Sequence, residues 1–135
     1  MKSSTSILVV DDELMMRDLL VKILSREGYR IDSVEDGIAA LEHLKKQRVD
    51  LVISDMKMPR MDGLELLSAI KKNYPEIGVI IMTGFGDTYT VKDALLLGAD
   101  EYITKPFKSF EISLVVERAY WRILSATHQS REQVE

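Results

Sequence analysis

The sequence contains no cysteine, which excludes disulfides, thiolate metal centres and thiol catalysis. No apolar run approaches the roughly 20 residues that a membrane-spanning helix needs. The start, Met1-Lys-Ser-Ser-Thr-Ser, lacks the apolar stretch of a secretory leader, so a cytoplasmic setting and no membrane partner are expected. A basic surplus is missing too. Eighteen Lys and Arg stand against 22 Asp and Glu, a net charge of −4. That balance argues against direct nucleic-acid binding, which favours a basic patch. There is no internal repeat, no low-complexity segment, no helix-turn-helix and no Gly-Lys-Ser/Thr phosphate loop. What is present is ordinary for a globular domain: 135 residues, 46% apolar and 30% charged. One domain of this length buries roughly two-thirds of its unfolded surface.

Short apolar runs alternate with helical patterns along the whole chain. Ile7–Val10, Leu51–Ile53 and Val79–Met82 suit central parallel strands buried on both faces. Arg30–Val34 alternates like an edge strand, and Glu101–Thr104 is a fifth candidate. Between them, Met16, Leu19, Leu20, Ile23 and Leu24 share one helical face, with Gly28 as a stop. A second helix starts at Asp36, with Leu41 and Leu44 inward. A third follows Asp62-Gly-Leu-Glu65, a capping-box pattern. The fourth carries Val91, Ala94 and Leu95 and ends at Gly98. The fifth runs from about Ser109 to about Ser125. Five successive βα units predict an α/β fold, a doubly wound five-stranded parallel sheet with five helices. Residues 1–125 form the domain. Residues 126–135 are polar, without an inward stripe, and read as a frayed helix end or the start of a linker.

The chemistry is placed at strand ends. In this arrangement four strands finish in Asp11-Asp12, Asp55, Thr83 and Lys105, all on the rim where open α/β sheets bind ligands. Three carboxylates crowded together repel; two unit charges at ~4 Å cost about 4 kcal/mol at an effective dielectric near 20. A hard divalent cation relieves this, and a small set of oxygen ligands suits Mg²⁺. Carboxylate, Mg²⁺, the Thr83 hydroxyl and the Lys105 ammonium together can bind and transfer a phosphoryl group. Asp55 is then the nucleophile. Taken singly, each residue has a plainer reading. Asp12 would N-cap the first helix, Thr83-Gly84 would be a turn, Lys105-Pro106 a loop and Asp55 a solvated strand end. Their conjunction on four separate strand ends favours a site.

Val10-Asp11-Asp12-Glu13, Ser54-Asp55-Met-Lys-Met-Pro59 with Met61-Asp62-Gly63, Met82-Thr83-Gly84 and Tyr102-Ile-Thr-Lys105-Pro106-Phe107 together resemble the response-regulator receiver domain of two-component signalling. The resemblance covers about residues 6 to 124. It implies a flavodoxin-like fold, and a phosphoryl group taken by Asp55 from a phosphohistidine on a sensor histidine kinase or phosphotransfer protein. It implies that Asp12 and Asp55 ligate Mg²⁺ directly, that Asp11 acts through a water, and that the backbone carbonyl of Lys57 completes the protein ligands. Thr83 and Lys105 would bind phosphoryl oxygens, and the Lys105-Pro106 peptide would be cis. Thr83 and Tyr102 would form the switch, reshaping the face of the fourth helix, fifth strand and fifth helix. Side chains at Lys57 and Phe85 stand where receivers tune phosphoryl lifetime. Beyond its own aspartyl phosphorylation and dephosphorylation, no enzymatic turnover is expected.

On the fifth helix, Ile112, Val115, Val116, Ala119 and Ile123 form a core face. Phe110, Leu114, Trp121 and Leu124 form a second stripe, extended by Leu96 and Leu97, which suits homodimerisation. The stretch from Met82 to Asp87 is similar to receivers attached to transcriptional activators with ATPase domains. The chain reads either as a stand-alone regulator or as the receiver end of a longer protein. Two other classes compete. A Mg²⁺-dependent phosphohydrolase with an aspartate nucleophile wants a second Asp two residues on, where this chain has Lys57. A flavodoxin-like nucleotide-binding module wants a phosphate loop after the first strand, where Asp11-Asp12-Glu13 repels phosphate.

Overall fold

Each of the apolar runs becomes a strand of one parallel sheet in the computed structural model. The structure describes residues 2–84 and 88–134, with residues 88–90 and 127–134 described for their backbone alone. After a 3₁₀ turn at Lys2–Ser4, the chain alternates through β1 (Ser6–Val10), α1 (Leu14–Arg26), β2 (Arg30–Val34), α2 (Gly37–Lys46), β3 (Leu51–Asp55), α3 (Gly63–Asn73), β4 (Gly78–Thr83), α4 (Thr88–Leu96), β5 (Glu101–Thr104) and α5 (Ser109–Val134). The strand order is β2-β1-β3-β4-β5, all parallel, which is the flavodoxin-like arrangement. Arg30–Val34 is an edge strand as expected, and the fifth candidate, Glu101–Thr104, forms the other edge.

The alternation of side chains along the strands divides the core in two. Ile7, Val9, Leu51, Ile53, Ile80 and Met82 face α1 and α5 and pack on Leu20, Leu24, Ile112 and Val116. Leu8, Val10, Val52, Val79 and Ile81 face the other way, onto Leu44, Leu66, Leu67, Ile70 and Ala94. The runs Ile7–Val10, Leu51–Ile53 and Val79–Met82 within β1, β3 and β4 are apolar at every position because both faces of these strands are covered.

The helix starts are written locally. Asp36 caps α2 by accepting from the Ala39 amide at 2.8 Å. Asp62 and Glu65 form the expected capping box on α3, at 2.8 and 3.1 Å. Two expectations shift. Leu19 is 43% exposed, because the sheet accepts only the narrower stripe of Met16, Leu20, Ile23 and Leu24. The backbone of α5 runs on to Val134, past the expected helix end near Ser125, so of the two readings of the tail the helical one describes its backbone.

Candidate functional site

The strand order places the switch point between β1 and β3, since the chain winds outward to β2 and then returns past β1 to the other side. Asp11 and Asp12 follow β1 directly, and Asp55 is the last residue of β3. Carboxylate oxygens of Asp11, Asp12 and Asp55 lie within 4.8 Å of one another. The sheet topology thus joins acids 43 or more positions apart into one cluster at the strands' carboxyl ends.

The three carboxylates are not equivalent. Asp11 is fully buried and oriented by the chain that follows it. Its Oδ1 accepts from the Glu13 amide at 2.9 Å, while Arg17 Nη1 donates to its backbone carbonyl at 2.7 Å. Asp12 is exposed and is not the N-cap of α1. That position belongs to Glu13, whose side chain makes no capping bond. The capping role that Asp12 could have filled by itself is therefore absent, and its carboxylate is turned to the acidic cluster instead. Asp55 is nearly buried, and its Oδ1 accepts from the Met56 amide at 2.9 Å.

Lys105 arrives from the end of β5. Its Nζ sits 3.2 Å from Asp11 Oδ2 and 3.2 Å from Asp55 Oδ1, bridging the two buried acids. Burial raises the Asp55 pKa above the ordinary carboxylate value, and the Asp11 charge adds to it; the Lys105 ammonium and the Met56 amide work in the opposite direction without cancelling it. Burial lowers the Lys105 pKa, but the Asp55 and Asp11 carboxylates outweigh that and leave it raised. Lys105 is therefore a fixed cation. Removing it strands two buried acids, so Lys105→Met is expected to lower the unfolding free energy by about 3 kcal/mol in metal-free buffer, measured by urea denaturation. An unchanged midpoint would show that water already solvates both acids.

Thr83 closes β4 on the same rim. It is 1% exposed, and among the described residues its Oγ1 has no hydrogen-bond partner. Its backbone is held firmly, the carbonyl accepting from the Lys105 amide at 2.7 Å. Lys57 follows Asp55 in the β3–α3 loop, with its side chain exposed. The Lys105-Pro106 peptide is cis. Tyr102 on β5 stands outward, 42% exposed, between the buried Glu101 and Ile103. Phe85 lies outside the described residues.

Two features escaped the reading of the sequence. Gly63 does more than follow a cap: a Cβ there would lie 2.4 Å from the Asp55 carbonyl oxygen and 2.9 Å from Met56 Cα. Glu101, buried on an edge strand, is held by Arg118 at 2.8 Å and Arg122 at 2.6 Å. The Asp62-Gly63 pair carried a signal for the first, since glycine at the start of a helix points to a close approach. Nothing in the local pattern marks the second, because its partners lie 17 and 21 residues downstream.

Residues 7–117 match the family described as the response regulator receiver domain. The chain is 40% identical over 112 residues to sporulation initiation phosphotransferase F of Bacillus subtilis, covering 83% of this chain and 90% of that protein. It is also 40% identical over 111 residues to the DNA-binding transcriptional regulator NtrC of Escherichia coli, covering 82% of this chain but only 24% of the relative. Among solved structures, the receiver domain of NtrX from Brucella abortus superposes with a TM-score of 0.81 at 43% identity, covering 84% of this chain and 96% of that one. Acidic cluster, fold and comparisons agree: this chain belongs to the response regulator receiver domain family of two-component signalling.

Proposed function

We propose that Asp55 is the phosphoacceptor of a Mg²⁺-dependent phosphotransfer reaction whose donor is a phosphohistidine on a sensor kinase or phosphotransfer protein. The observation that carries this reading is the clustering of Asp11, Asp12 and Asp55 oxygens beside the Lys105 ammonium. A set of hard oxygen donors in a partly buried acidic pocket fits Mg²⁺. Asp11, Asp12, Asp55 and the backbone carbonyl of Lys57 would hold the ion. When bound, it neutralises acidic charge and the charge of the phosphoryl oxygens.

The remaining chemistry belongs to the chain. An Asp55 carboxylate oxygen attacks phosphorus, an acyl phosphate forms, and the bond from phosphorus to the donor nitrogen breaks; the donor imidazole departs neutral because its other ring nitrogen carries a proton, and its bond electrons return to the departing nitrogen. Lys105 holds a phosphoryl oxygen from the side of β5. The Thr83 hydroxyl, unpartnered among the described residues, can donate to another. Neither needs to titrate.

The Thr83 movement provides the switch. Tyr102, outward here, would turn in as Thr83 is drawn to the phosphoryl group, altering the α4-β5-α5 face. That face carries Leu96, Phe110, Leu114 and Trp121 in exposed positions, an apolar patch suited to a second copy of this chain. Homodimerisation through it is expected to strengthen with beryllofluoride. Light scattering that shows a monomer with and without it would sink that part of the reading. The setting is cytoplasmic, and among the described residues no helix is long and apolar enough to cross a membrane. We keep residues 1–125 as the receiver unit, with 126–135 as tail or linker.

The decisive experiment is intact-mass spectrometry after incubation with acetyl phosphate. One acid-stable, base-labile phosphoryl adduct is expected with Mg²⁺ and none with EDTA. No adduct, together with no beryllofluoride binding, would leave the fold as a binding module. Steady hydrolysis of a chromogenic phosphate ester would favour the phosphohydrolase, a reading that Lys57 disfavours because it stands where that class needs its acid.

A further inference from the structure

The β3–α3 loop, residues 56–62, carries Lys57, and its conformation depends on a residue outside the acidic cluster. Arg60 has φ of +68°, in the left-handed region that a residue with a Cβ adopts only at a cost. Something must compensate for it. Arg60 Nη2 donates to Asp36 Oδ2 at 2.5 Å. Asp36 is 4% exposed, and its other oxygen already accepts from the Ala39 amide as the cap of α2. The carboxylate is thus oriented by α2, so it acts as a fixed anchor for the arginine rather than the reverse.

Three neighbouring contacts make the loop stiff around that anchor. The Met61 amide donates to the Pro59 carbonyl at 2.8 Å, closing a tight turn across Arg60. Met61 packs on Gly37, where a Cβ would come within 2.8 Å of its Sδ. At the loop's exit the Gly63 amide donates to the Met56 carbonyl at 2.8 Å. The segment between Asp55 and α3 is therefore clamped to the start of α2 at two successive residues, and its exit is tied back to its entry at Met56.

We propose that the Asp36–Arg60 ion pair is a positioning element of the phosphoacceptor site, holding the β3–α3 loop so that the Lys57 carbonyl is presented to the divalent cation. This rests on the reading of Asp11, Asp12 and Asp55 as a Mg²⁺ site. A backbone carbonyl serves as a ligand only when its peptide plane is fixed, and Lys57 lies three residues before Arg60 with Pro59 between them. Releasing the guanidinium lets Arg60 leave its left-handed conformation and rotates the peptides upstream. Asp36 and Arg60 touch no reacting atom; they act through the loop.

The test is the Mg²⁺ dissociation constant, read from the amide shifts of Asp55, Met56 and Lys57 in an NMR titration, alongside the melting temperature. Arg60→Ala is expected to weaken Mg²⁺ binding by about tenfold, the size of effect that outlying partners of metal ligands have. Arg60→Lys should restore most of it. Asp36→Asn, which keeps a capping oxygen, should weaken binding as Arg60→Ala does. Arg60→Gly separates the pair from the backbone, since glycine takes positive φ freely. It too should bind Mg²⁺ more weakly than the parent. Parental affinity in Arg60→Gly or Arg60→Ala, with only the melting temperature lowered, overturns the proposal and leaves the pair a structural tie. Parent protein that fails to bind Mg²⁺ at millimolar concentration overturns the reading of the acidic cluster, and this inference with it.

Discussion

Asp55→Asn is expected to abolish the phosphoryl adduct and, in metal-free buffer at neutral pH, to melt a few degrees above the parent. The first effect follows from chemistry: an amide oxygen is too weak a nucleophile to form the acyl phosphate. The second follows from the site's electrostatics. Burial and the Asp11 charge raise the Asp55 pKa above 3.8 in the folded state. Between 3.8 and that raised value the native protein binds more protons than the unfolded chain. Its stability therefore falls as pH rises through the window and stays reduced above it. Asparagine has no charge to bury, so the loss disappears. Mg²⁺ should reverse the order. A ligand that binds only the folded state stabilises by about 2.7 kcal/mol at a hundredfold excess over its dissociation constant, and the mutant forfeits much of this. Thermal unfolding of both proteins in EDTA and in Mg²⁺ checks each half. A mutant that melts lower in EDTA would mean that the Lys105 attraction outweighs burial and Asp11 together.

Gly63→Ala should cost about 3 kcal/mol or more of unfolding free energy, at the upper end of overpacking effects. Elsewhere at a helix position this exchange gains up to about 1 kcal/mol from propensity. Here the added Cβ meets backbone, at 2.4 Å from the Asp55 carbonyl oxygen and 2.9 Å from Met56 Cα. Neither atom can rotate away as the end of a side chain would. Relief requires α3 to move off β3 or the Asp55 peptide to turn, and the second disturbs the proposed phosphoacceptor itself. Urea denaturation measures the loss, and Mg²⁺ affinity should fall alongside it. If Gly63→Ala proved as stable as the parent, the β3–α3 junction would have to be far more yielding than its tight contacts imply.

How much of this was legible in the sequence depends on distance along the chain. Asp11, Asp12, Asp55, Thr83 and Lys105 each follow or end a recognisable strand pattern. Once four such runs are joined in a parallel sheet, their carboxyl ends must share a rim. The caps of α2 and α3 were readable because their partners lie three residues away. The Asp36–Arg60 pair was not, since it joins residues 24 apart and Arg60 gives no sign of positive φ. Leu19 misled because periodicity marks a face but not how much of it the sheet covers. How far α5 runs past Ser125 was not legible for the opposite reason: those residues carry no apolar stripe to mark a helix's extent.

The solitary hydroxyl at the end of β4 has an energetic consequence. A buried donor without an acceptor carries a penalty of about 1–3 kcal/mol. The resting conformation bears that penalty at Thr83, whose Oγ1 has no partner among the described residues. Any state that offers it an oxygen is favoured by the same amount. At 1.4 kcal/mol per tenfold, this hydroxyl alone can tilt the ratio of two conformers by roughly 5- to 140-fold. In the switch proposed above, that preference becomes available only once a phosphoryl oxygen stands on the rim, so this one hydroxyl would register the event without a rearrangement of the core.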